Sequence, residues 1–288
     1  AGAQGLPGPK GDTGPQGIQG PPGPQGSPDT AQQVLAKLLQ VDGTGSGLDA
    51  DLLNGLHASE IMAGALDEKR TPIAALPFTI TAPGSYYLAG NLVAGSGDAI
   101  SVNADNVTID LMGFQLSGNS QAVTGIVALS ARKNVEIRNG TVRGFQGRGV
   151  HAASSASSGW RVIGMRTSDN GSSGVTLSGD GHMVRNSTST GNGLNGFTLT
   201  GGGGVISGSV AHDNAGYGIQ TGAAVIVNNV AYQNASGGII PTGNAIVLGN
   251  AAYSNGTLNF GSCSTCTFGL NVPYTNSSFE TQITNAVT

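Results

Sequence analysis

The strongest constraint in this sequence is a run of glycines at every third position near its N-terminus. Three polyproline-type chains wind around one another only if the residue at the crowded axis has no side chain, so glycine must occupy every third place. Seven of the chain's 12 prolines fall in the same stretch. The run therefore predicts a triple helix over residues 1–28, and hence a homotrimer. The axis positions are Gly2, Gly5, Gly8, Gly11, Gly14, Gly17, Gly20, Gly23 and Gly26.

This repeat resembles that of collagen, and residues 29–71 are expected to form a helical, leucine-rich trimerisation neck and linker. Asp29 or Thr30 is the candidate N-cap of a helix. Twelve residues are too few for a stable isolated helix, so its apolar stripe is expected to pack against two other copies. The segment resembles the short necks of phage and bacterial fibre proteins, and His57 within it is interpreted as an ordinary histidine. The stripe consists of Val34, Leu35, Leu38 and Leu39.

Composition argues against several functional classes. Twelve Lys and Arg against 16 Asp and Glu give a net charge of -4, so a nucleic-acid-binding role is not expected. The longest apolar runs fall short of the roughly 20 residues that a membrane span needs. The chain begins with Ala1, which suits a secreted product or a shortened chain. We expect a secreted protein, extracellular or on the cell surface.

Beyond residue 72 the remaining glycines follow a longer period, which is typical of solenoids. Repeats aligned on asparagine are spaced by 22, 22, 20 and 21 residues, and a glycine followed by an apolar residue opens most of them. Short alternating segments lie between turns of Gly, Asn and Ser. Residues at one place in consecutive coils stack about 4.8 Å apart, so a buried ladder of amides is expected. The ladder residues are Asn170, Asn192, Asn214, Asn234 and Asn255.

Two segments resemble coils of the right-handed parallel β-helix of the pectate-lyase-like superfamily, within its branch of periplasmic copper-site maturation and surface proteins. They are DNVTIDLMGFQLSG at 105–118 and NVEIRNGTVRGF at 134–145. The resemblance covers roughly residues 90–260. It implies an all-β domain of about eight coils over residues 72–288, with an N-terminal cap at 72–97 and a C-terminal cap at 260–288. Fold alone does not decide activity.

An active site of the superfamily's hydrolytic kind needs converging aspartates and a histidine. Asp169 and Asp213 share one column two coils apart, about 9–10 Å, and His212 and His182 complete the possible constellation. The alternative is that both aspartates are turn residues. The superfamily's G-H-G motif with clustered aspartates is missing. We therefore expect that the protein is not an enzyme and that it binds no metal and no cofactor. A polysaccharide lyase or hydrolase is kept as the second alternative.

Basic and aromatic residues offer a possible glycan site. One interpretation of the basic residues is that they line a groove for acidic glycans. The favoured interpretation is that they are solvated charges on strand faces, which discourage pairing between sheet edges. Tyr217, Tyr232, Tyr253 and Trp160 are candidates for stacking on sugars; a structural stack of His212 with Tyr232 and Tyr253 is the alternative. The basic residues are Arg132, Lys133, Arg138, Arg143, Arg148, Arg161, Arg166 and Arg185.

The two cysteines are Cys263 and Cys266, in a C-x-x-C spacing with no histidine after it, so haem attachment is not indicated. A disulfide in an extracellular chain is favoured.

The sequence as a whole favours a structural role. We predict a homotrimeric subunit of an extracellular filament, with the rod of one trimer held by its neighbour, because heterologous contacts that do not close propagate as fibres. A glycan-binding adhesin or phage tail-fibre tip, with a surface glycan as its partner, is the first alternative.

Overall fold

The computed structural model describes residues 4–23, 26, 28–41, 52–53, 56–57, 69–119 and 121–273. The chain divides into two compact units, Ala1–Asp67 and Glu68–Thr288. Gly2, much of the expected linker after residue 41 and the end of the expected C-terminal cap lie outside the described residues.

Among its described residues, the first unit contains one helix and one pair of short strands. Residues 4–23 are exposed and contain no helix or strand. Helix α1 (Ala31–Val41) starts after Thr30: the Gln33 N–H donates to Thr30 Oγ1 over 3.3 Å, and the Thr30 N–H donates to Gln33 Oε1 over 2.8 Å. This reciprocal pair is a capping box, which selects Thr30 over Asp29 as the N-cap. Strands β1 (Leu52–Leu53) and β2 (Leu56–His57) pair antiparallel. The predicted triple helix and trimeric neck involve three chains and stay predictions.

The second unit, which we call the head, is a parallel β-helix, as the sequence predicted. Its strands form three sheets. Sheet 1 contains β4 (Phe78–Ile80), β7 (Ile100–Val102), β10 (Ile126–Ala128), β12 (Val150–Ala152), β14 (Val175–Ser178), β21 (Gly237–Pro241), β24 (Leu258–Phe260) and the first parts of β17 (Phe197–Ser207) and β19 (Tyr217–Val227).

Sheet 2 contains β3 (Thr71–Ile73), β5 (Gly84–Leu88), β8 (Val107–Asp110), β15 (Met183–Arg185), β22 (Ile246–Leu248), β25 (Thr267–Gly269), the first parts of β11 (Val135–Arg143) and β13 (Arg161–Ser168), and the second parts of β17 and β19. Sheet 3 contains β6 (Leu92–Ala94), β9 (Gln115–Gly118), β16 (Thr188–Thr190), β18 (Val210–His212), β20 (Val230–Tyr232), β23 (Ala251–Tyr253), β26 (Val272–Pro273) and the second parts of β11 and β13.

Nine strands follow one another in sheet 1 of the described chain, so the solenoid has about nine turns rather than the eight expected. The difference arises at the N-terminal end. Strands β4, β5 and β6 pair in parallel with β7, β8 and β9 and thus form a coil within the segment expected to be a cap, 72–97. The 22-residue repeat did not reveal this coil because its strands have no ladder asparagine.

The core lies inside the coils and is built by alternation within each short strand. Successive side chains of a strand point to opposite faces, so one apolar residue per strand enters the interior and stacks on its counterpart in the next coil. In sheet 2 the inward residues are in register and fully buried: Ile109, Ile137, Val162, Val184, Ile206, Ile226 and Val247.

The ladder asparagines stack at the corner between sheets 3 and 1. The side-chain N–H of each donates to the side-chain carbonyl of the next over 2.8–2.9 Å, from Asn170 through Asn255 to Asn259. A second ladder, which the sequence analysis missed, joins Asn229, Asn250 and Asn271 at the corner between sheets 2 and 3. Serine precedes it in the earlier coils, as Ser187 and Ser209. This change of residue type hides the column from a search for one repeated letter.

The repeat-opening glycines also form a column, because neighbouring coils approach there too closely for any side chain. An added Cβ at each would lie 2.5–2.9 Å from a carbonyl oxygen of the next coil. Such a contact forces a shift of the backbone, since real Cβ atoms do not approach so closely. The column consists of Gly125, Gly149, Gly174, Gly196, Gly218 and Gly238.

Gly218→Ala should therefore destabilise the head by about 1–3 kcal/mol, the usual cost of overpacking. The new methyl would lie 2.7 Å from Asn234 Nδ2 and 2.9 Å from Gly238 O, and would disturb the ladder as well. Urea unfolding followed by tryptophan fluorescence measures the change. Gly90→Ala is the control, because nothing lies within 4 Å of its added Cβ. Equal unfolding midpoints for the two variants would contradict the steric explanation.

Candidate functional site

One row of side chains on sheet 1 points away from the core and runs in register along the solenoid. We call the row the outer column. Its residues alternate with core residues, so their side chains lie on the outer face of the sheet. From the N-terminal end the row contains Thr79, Ser101, Val127, His151, Thr176, Thr198, Gln220 and Ile240.

The middle of the outer column is sunk below its surroundings, and we call this sunken row the groove. Although they point outward, Val127, Thr176 and Thr198 are only 2%, 8% and 9% exposed. An outward residue on an open strand would keep much of its surface in water, so neighbouring residues cover much of this part of the sheet. The floor of the groove is polar for four consecutive coils, from His151 to Gln220.

His151 is the titratable group of this floor. Its pKa is lowered from 6.5 to about 4, mainly by burial and to a smaller extent by the Arg148 guanidinium, while Asp98 opposes the shift. The ring is therefore neutral at physiological pH and offers one N–H donor and one nitrogen acceptor. Arg148 and Asp98 each stand two residues before a strand of the column, β12 and β7 respectively.

Two polar groups at the groove have unused hydrogen-bonding capacity. Arg148 Nε and Thr176 Oγ1 are buried and have no hydrogen-bond partner among the described residues. Buried polar atoms are nearly always hydrogen-bonded, so each exception points to a water or a ligand. Asp98 also lines a cavity of about 230 Å³, whose other lining residues do not belong to the outer column.

The lowered pKa of His151 predicts acid destabilisation. Between pH 6.5 and about 4 the unfolded chain protonates this histidine while the folded chain does not, so the stability falls as the pH falls through this window. We expect the urea midpoint to drop over the same range and His151→Gln to reduce the drop. Burial also lowers the pKa of His182, so part of the drop persists in the variant. An identical pH dependence in wild type and variant would contradict this assignment.

The basic residues do not form one groove. Arg138 and Arg161 lie on sheet 2 and pair with Glu136 over 3.2 and 2.9 Å. On sheet 3, Arg143 pairs with Asp169 over 2.9 Å, and Arg166 donates to Thr141. Arg185 also lies on sheet 2, while Arg132 and Lys133 lie in a turn between sheets 1 and 2. Of the eight, the structure places Arg148 beside the outer column.

The aspartate–histidine constellation is not assembled. Asp169 and Asp213 both adopt φ of 53°, in the left-handed region typical of turn residues. Asp169 pairs with Arg143, and Asp213 with His212 over 2.6 Å. His182 is buried away from them and accepts the Trp160 N–H at Nδ1. The described residues contain no group of three or more His, Cys, Asp or Glu that could hold a metal ion.

The aromatic candidates are structural in their observed positions. Trp160 is 0% exposed and cannot stack on a sugar. His212, Tyr232 and Tyr253 form a continuous stack on sheet 3, with ring centroids 4.8 and 5.1 Å apart and planes within 5° of parallel. Because the rings cover one another's faces, the stack presents mainly edges to solvent. Tyr217 is half-buried at the start of β19.

Cys263 and Cys266 form a disulfide in the last turn between sheets 1 and 2, with an S–S distance of 2.06 Å. It joins residues three apart and so fixes a turn rather than joining coils. In the part of the chain that the structure describes, no helix is both long and apolar enough to cross a bilayer.

The sequence marks Arg148 only as one of eight basic residues, and it does not single out His151, Asp98 or the threonines as site residues. A signal for the outer column was present. Two residues after each repeat-opening glycine stands the column residue, as in Gly149-Val150-His151 and Gly174-Val175-Thr176. The residue at this place changes from coil to coil, so it does not appear as a conserved letter of the repeat.

Comparisons with solved structures give the same fold. The chain is similar to the A-module of the Azotobacter vinelandii mannuronan C-5 epimerase AlgE6, with a TM-score of 0.56 and 18% identity over 71% of this chain and 65% of that one. For the AlgE4 A-module of the same organism the TM-score is 0.51 and the identity 14%, over 66% of this chain and 68% of that one. For the periplasmic alginate epimerase AlgG, in its D317A mutant, the TM-score is 0.51 and the identity 16% over 67% of this chain. This match spans about half of that chain, 51%.

Curated proteins gave no significant match. A family profile described as "Right handed beta helix region" matches residues 124–285, more than half of the chain. With the parallel pairing of its coils, this match shows that the chain belongs to the right-handed β-helix family.

Proposed function

We propose that the protein binds an extended, carboxylate-bearing polysaccharide along the outer column of sheet 1. The observation that carries the proposal is the groove itself: a floor of outward polar side chains, sunk below its surroundings and flanked by Arg148. Ligand sites are typically concave, with a few convergent polar groups.

The shape of the site fits a polymer. From Ser101 to Gln220 the column takes five steps between coils, about 24 Å at the strand spacing. Each step presents one side chain in register with the last, among them the hydroxyls of Ser101, Thr176 and Thr198. A linear chain of sugar units has a comparable periodicity of hydroxyl groups, whereas a compact ligand would use only one or two coils.

Arg148 supplies the preference for a carboxylate. No carboxylate of the described residues lies within ion-pair distance of it, in contrast to Arg138, Arg143 and Arg161. A planar guanidinium binds carboxylates through two parallel hydrogen bonds. The proteins of similar fold that are named above are alginate epimerases, which supports a polysaccharide ligand over the purely structural role that the sequence favoured.

Binding fits this groove better than cleavage does. A catalytic base works best when its pKa is near the operating pH, and the pKa of His151, about 4, makes it a weak base. The aspartates expected for hydrolysis, Asp169 and Asp213, lie beside sheet 3 and are already paired. His151 is thus assigned to hydrogen bonding with the glycan.

Calorimetric titration of the full chain tests this function, with alginate and polygalacturonate as acidic probes and dextran as the neutral one. We expect the acidic polymers to bind and Arg148→Ala to weaken binding about 10- to 100-fold, as for the loss of a charge-assisted hydrogen bond. Arg166→Ala, on sheet 3, is the matched control and should bind normally. Equal binding of dextran, no binding of either acidic polymer, or cleavage of the polymer would overturn the proposal.

We further propose that three chains share one triple helix and so carry three grooves. Within a single chain, sterics do not require glycine at these positions, because nothing lies within 4 Å of a Cβ added at any of them from Gly5 to Gly26. Neighbouring chains at a crowded axis supply that cause. Three grooves on one molecule would raise the avidity for a long polymer.

The disulfide and the glycan ligand together favour a location outside the cytoplasm. End-to-end assembly into a filament stays a prediction, which electron microscopy of the native protein would test.

A further inference from the structure

The outer face of sheet 2 changes character along the solenoid. In its first coils the outward residues are charged and satisfied by one another: Arg138 donates to Asp110 over 2.9 Å, and Glu136 accepts from both Arg138 and Arg161. In the later coils the outward residues are mostly aliphatic. We call this later part the apolar strip; it consists of Ile163, Met183, Val205, Val225, Val227, Ile246 and Leu248.

The apolar strip is exposed where outward strand positions are normally polar. Val225, Ile246 and Leu248 are 36%, 42% and 39% exposed. Two charged side chains stand in the two columns of the strip: Arg161 at its start, which pairs with Glu136, and Arg185. The coils from Val205 onward hold none. A contiguous apolar patch on a soluble protein usually marks an interaction surface.

We propose that the apolar strip is the contact between the β-helix heads of copies of this chain. The occupant follows from the same sequence: the glycine repeat calls for two further copies in each molecule. The strip bears almost no charge, so identical strips can face one another without repulsion.

The size of the strip explains why the contact needs a tether. From Ile163 to Leu248 it spans four coil steps, about 19 Å, and two columns, about 7 Å apart. A stable interface between separate proteins buries about 1,200–2,000 Å², far more than this strip offers. Chains already joined through a triple helix associate intramolecularly, so a small contact suffices. The contact uses sheet 2 and leaves the groove of sheet 1 free, so it and the glycan proposal stand or fall separately.

Single-cysteine cross-linking of the full-length protein tests the contact. The chain's two cysteines are joined to each other, so a new thiol has only its copies to react with. Val225→Cys places the thiol in the strip, and Val230→Cys places it on the outer face of sheet 3 in the same coil. Oxidation, or a short bismaleimide where the thiols are too far apart, should convert most of the Val225→Cys protein into covalent dimers on a non-reducing gel. The Val230→Cys protein should stay monomeric on that gel.

Three outcomes overturn the proposal. The first is a Val225→Cys thiol that labels freely with maleimide and does not cross-link, which means an open surface. The second is a thiol that is protected from labelling without cross-linking, which assigns the strip to the chain's own residues 274–288. The third is a monomer by sedimentation of the wild type. Ile246→Glu with Leu248→Glu gives an independent readout, because charges in the strip should abolish the cross-link while the wild-type circular dichroism persists.

Discussion

Asn214→Ala should lower the free energy of unfolding of the β-helix by about 3–5 kcal/mol, because buried donors lose their acceptor. Asn214 Oδ1 accepts the backbone N–H of Asn192 over 3.1 Å and its side-chain N–H over 2.8 Å. Asn214 also donates to Asn234 Oδ1 and Ser189 O. All of these groups lie in the nearly dry corner between sheets 3 and 1, where water cannot replace the missing partner.

Urea unfolding followed by the fluorescence of the chain's one tryptophan, which lies in the head, measures this loss. The matched control is Asn244→Ala, since Asn244 is exposed and makes no hydrogen bond to the described residues. It should change the stability by less than about 0.5 kcal/mol. A loss at Asn214 no larger than at Asn244 would mean that the ladder does not stabilise the solenoid.

Trp160→Ala should cost about 3–5 kcal/mol, the usual effect of removing a large buried aromatic side chain. Trp160 is fully buried, and its Nε1–H donates to Arg132 O over 3.0 Å. Its backbone N–H donates to His182 Nδ1 over 3.1 Å. The side chain therefore joins two successive turns between sheets 1 and 2. Its loss leaves a cavity and removes one of the two hydrogen bonds to Arg132 O, which also accepts the Ser158 N–H.

Circular dichroism during thermal or urea unfolding measures this effect, since the variant has no tryptophan. Trp160→Phe retains most of the apolar volume and loses only the hydrogen bond, so its cost should be about 1–2 kcal/mol. Both variants, under conditions where they are folded, should bind alginate as the wild type does. Selective loss of glycan binding in a folded Trp160 variant would restore the sugar-stacking role that burial argues against.

The repeat made much of the fold predictable. A ladder asparagine recurs every 20–22 residues and a glycine opens most coils, so these two residue types were enough to predict parallel stacking of the coils. The extra coil at residues 78–94 has neither mark: Pro77 stands at the place that Gly125 occupies two coils later, and the ladder begins only at Asn170.

The candidate site was harder to predict, because it depends on which outward positions are sunk below their surroundings. His151 and Thr176 belong to a column in which the residue type varies from coil to coil. Nothing in their local sequence shows that their side chains are sunk, while those of Arg161 and Thr188 lie on open faces. The aspartates and tyrosines attracted attention as functional residue types. The sequence offers the stack of His212 with Tyr232 and Tyr253 as one alternative, and the structure shows it. The ion pair of Asp213 with His212 depends on side-chain positions that the sequence does not give.

The dependence of affinity on oligosaccharide length tests the central claim most directly. Calorimetric titration of the full chain with uronate oligomers of increasing length should show the affinity rising with each added unit until the oligomer spans the outer column, about 24 Å, and levelling off beyond that length. Arg148→Ala should lower the whole series. An affinity that does not depend on length, or that is unchanged in Arg148→Ala, would contradict an extended glycan bound along sheet 1.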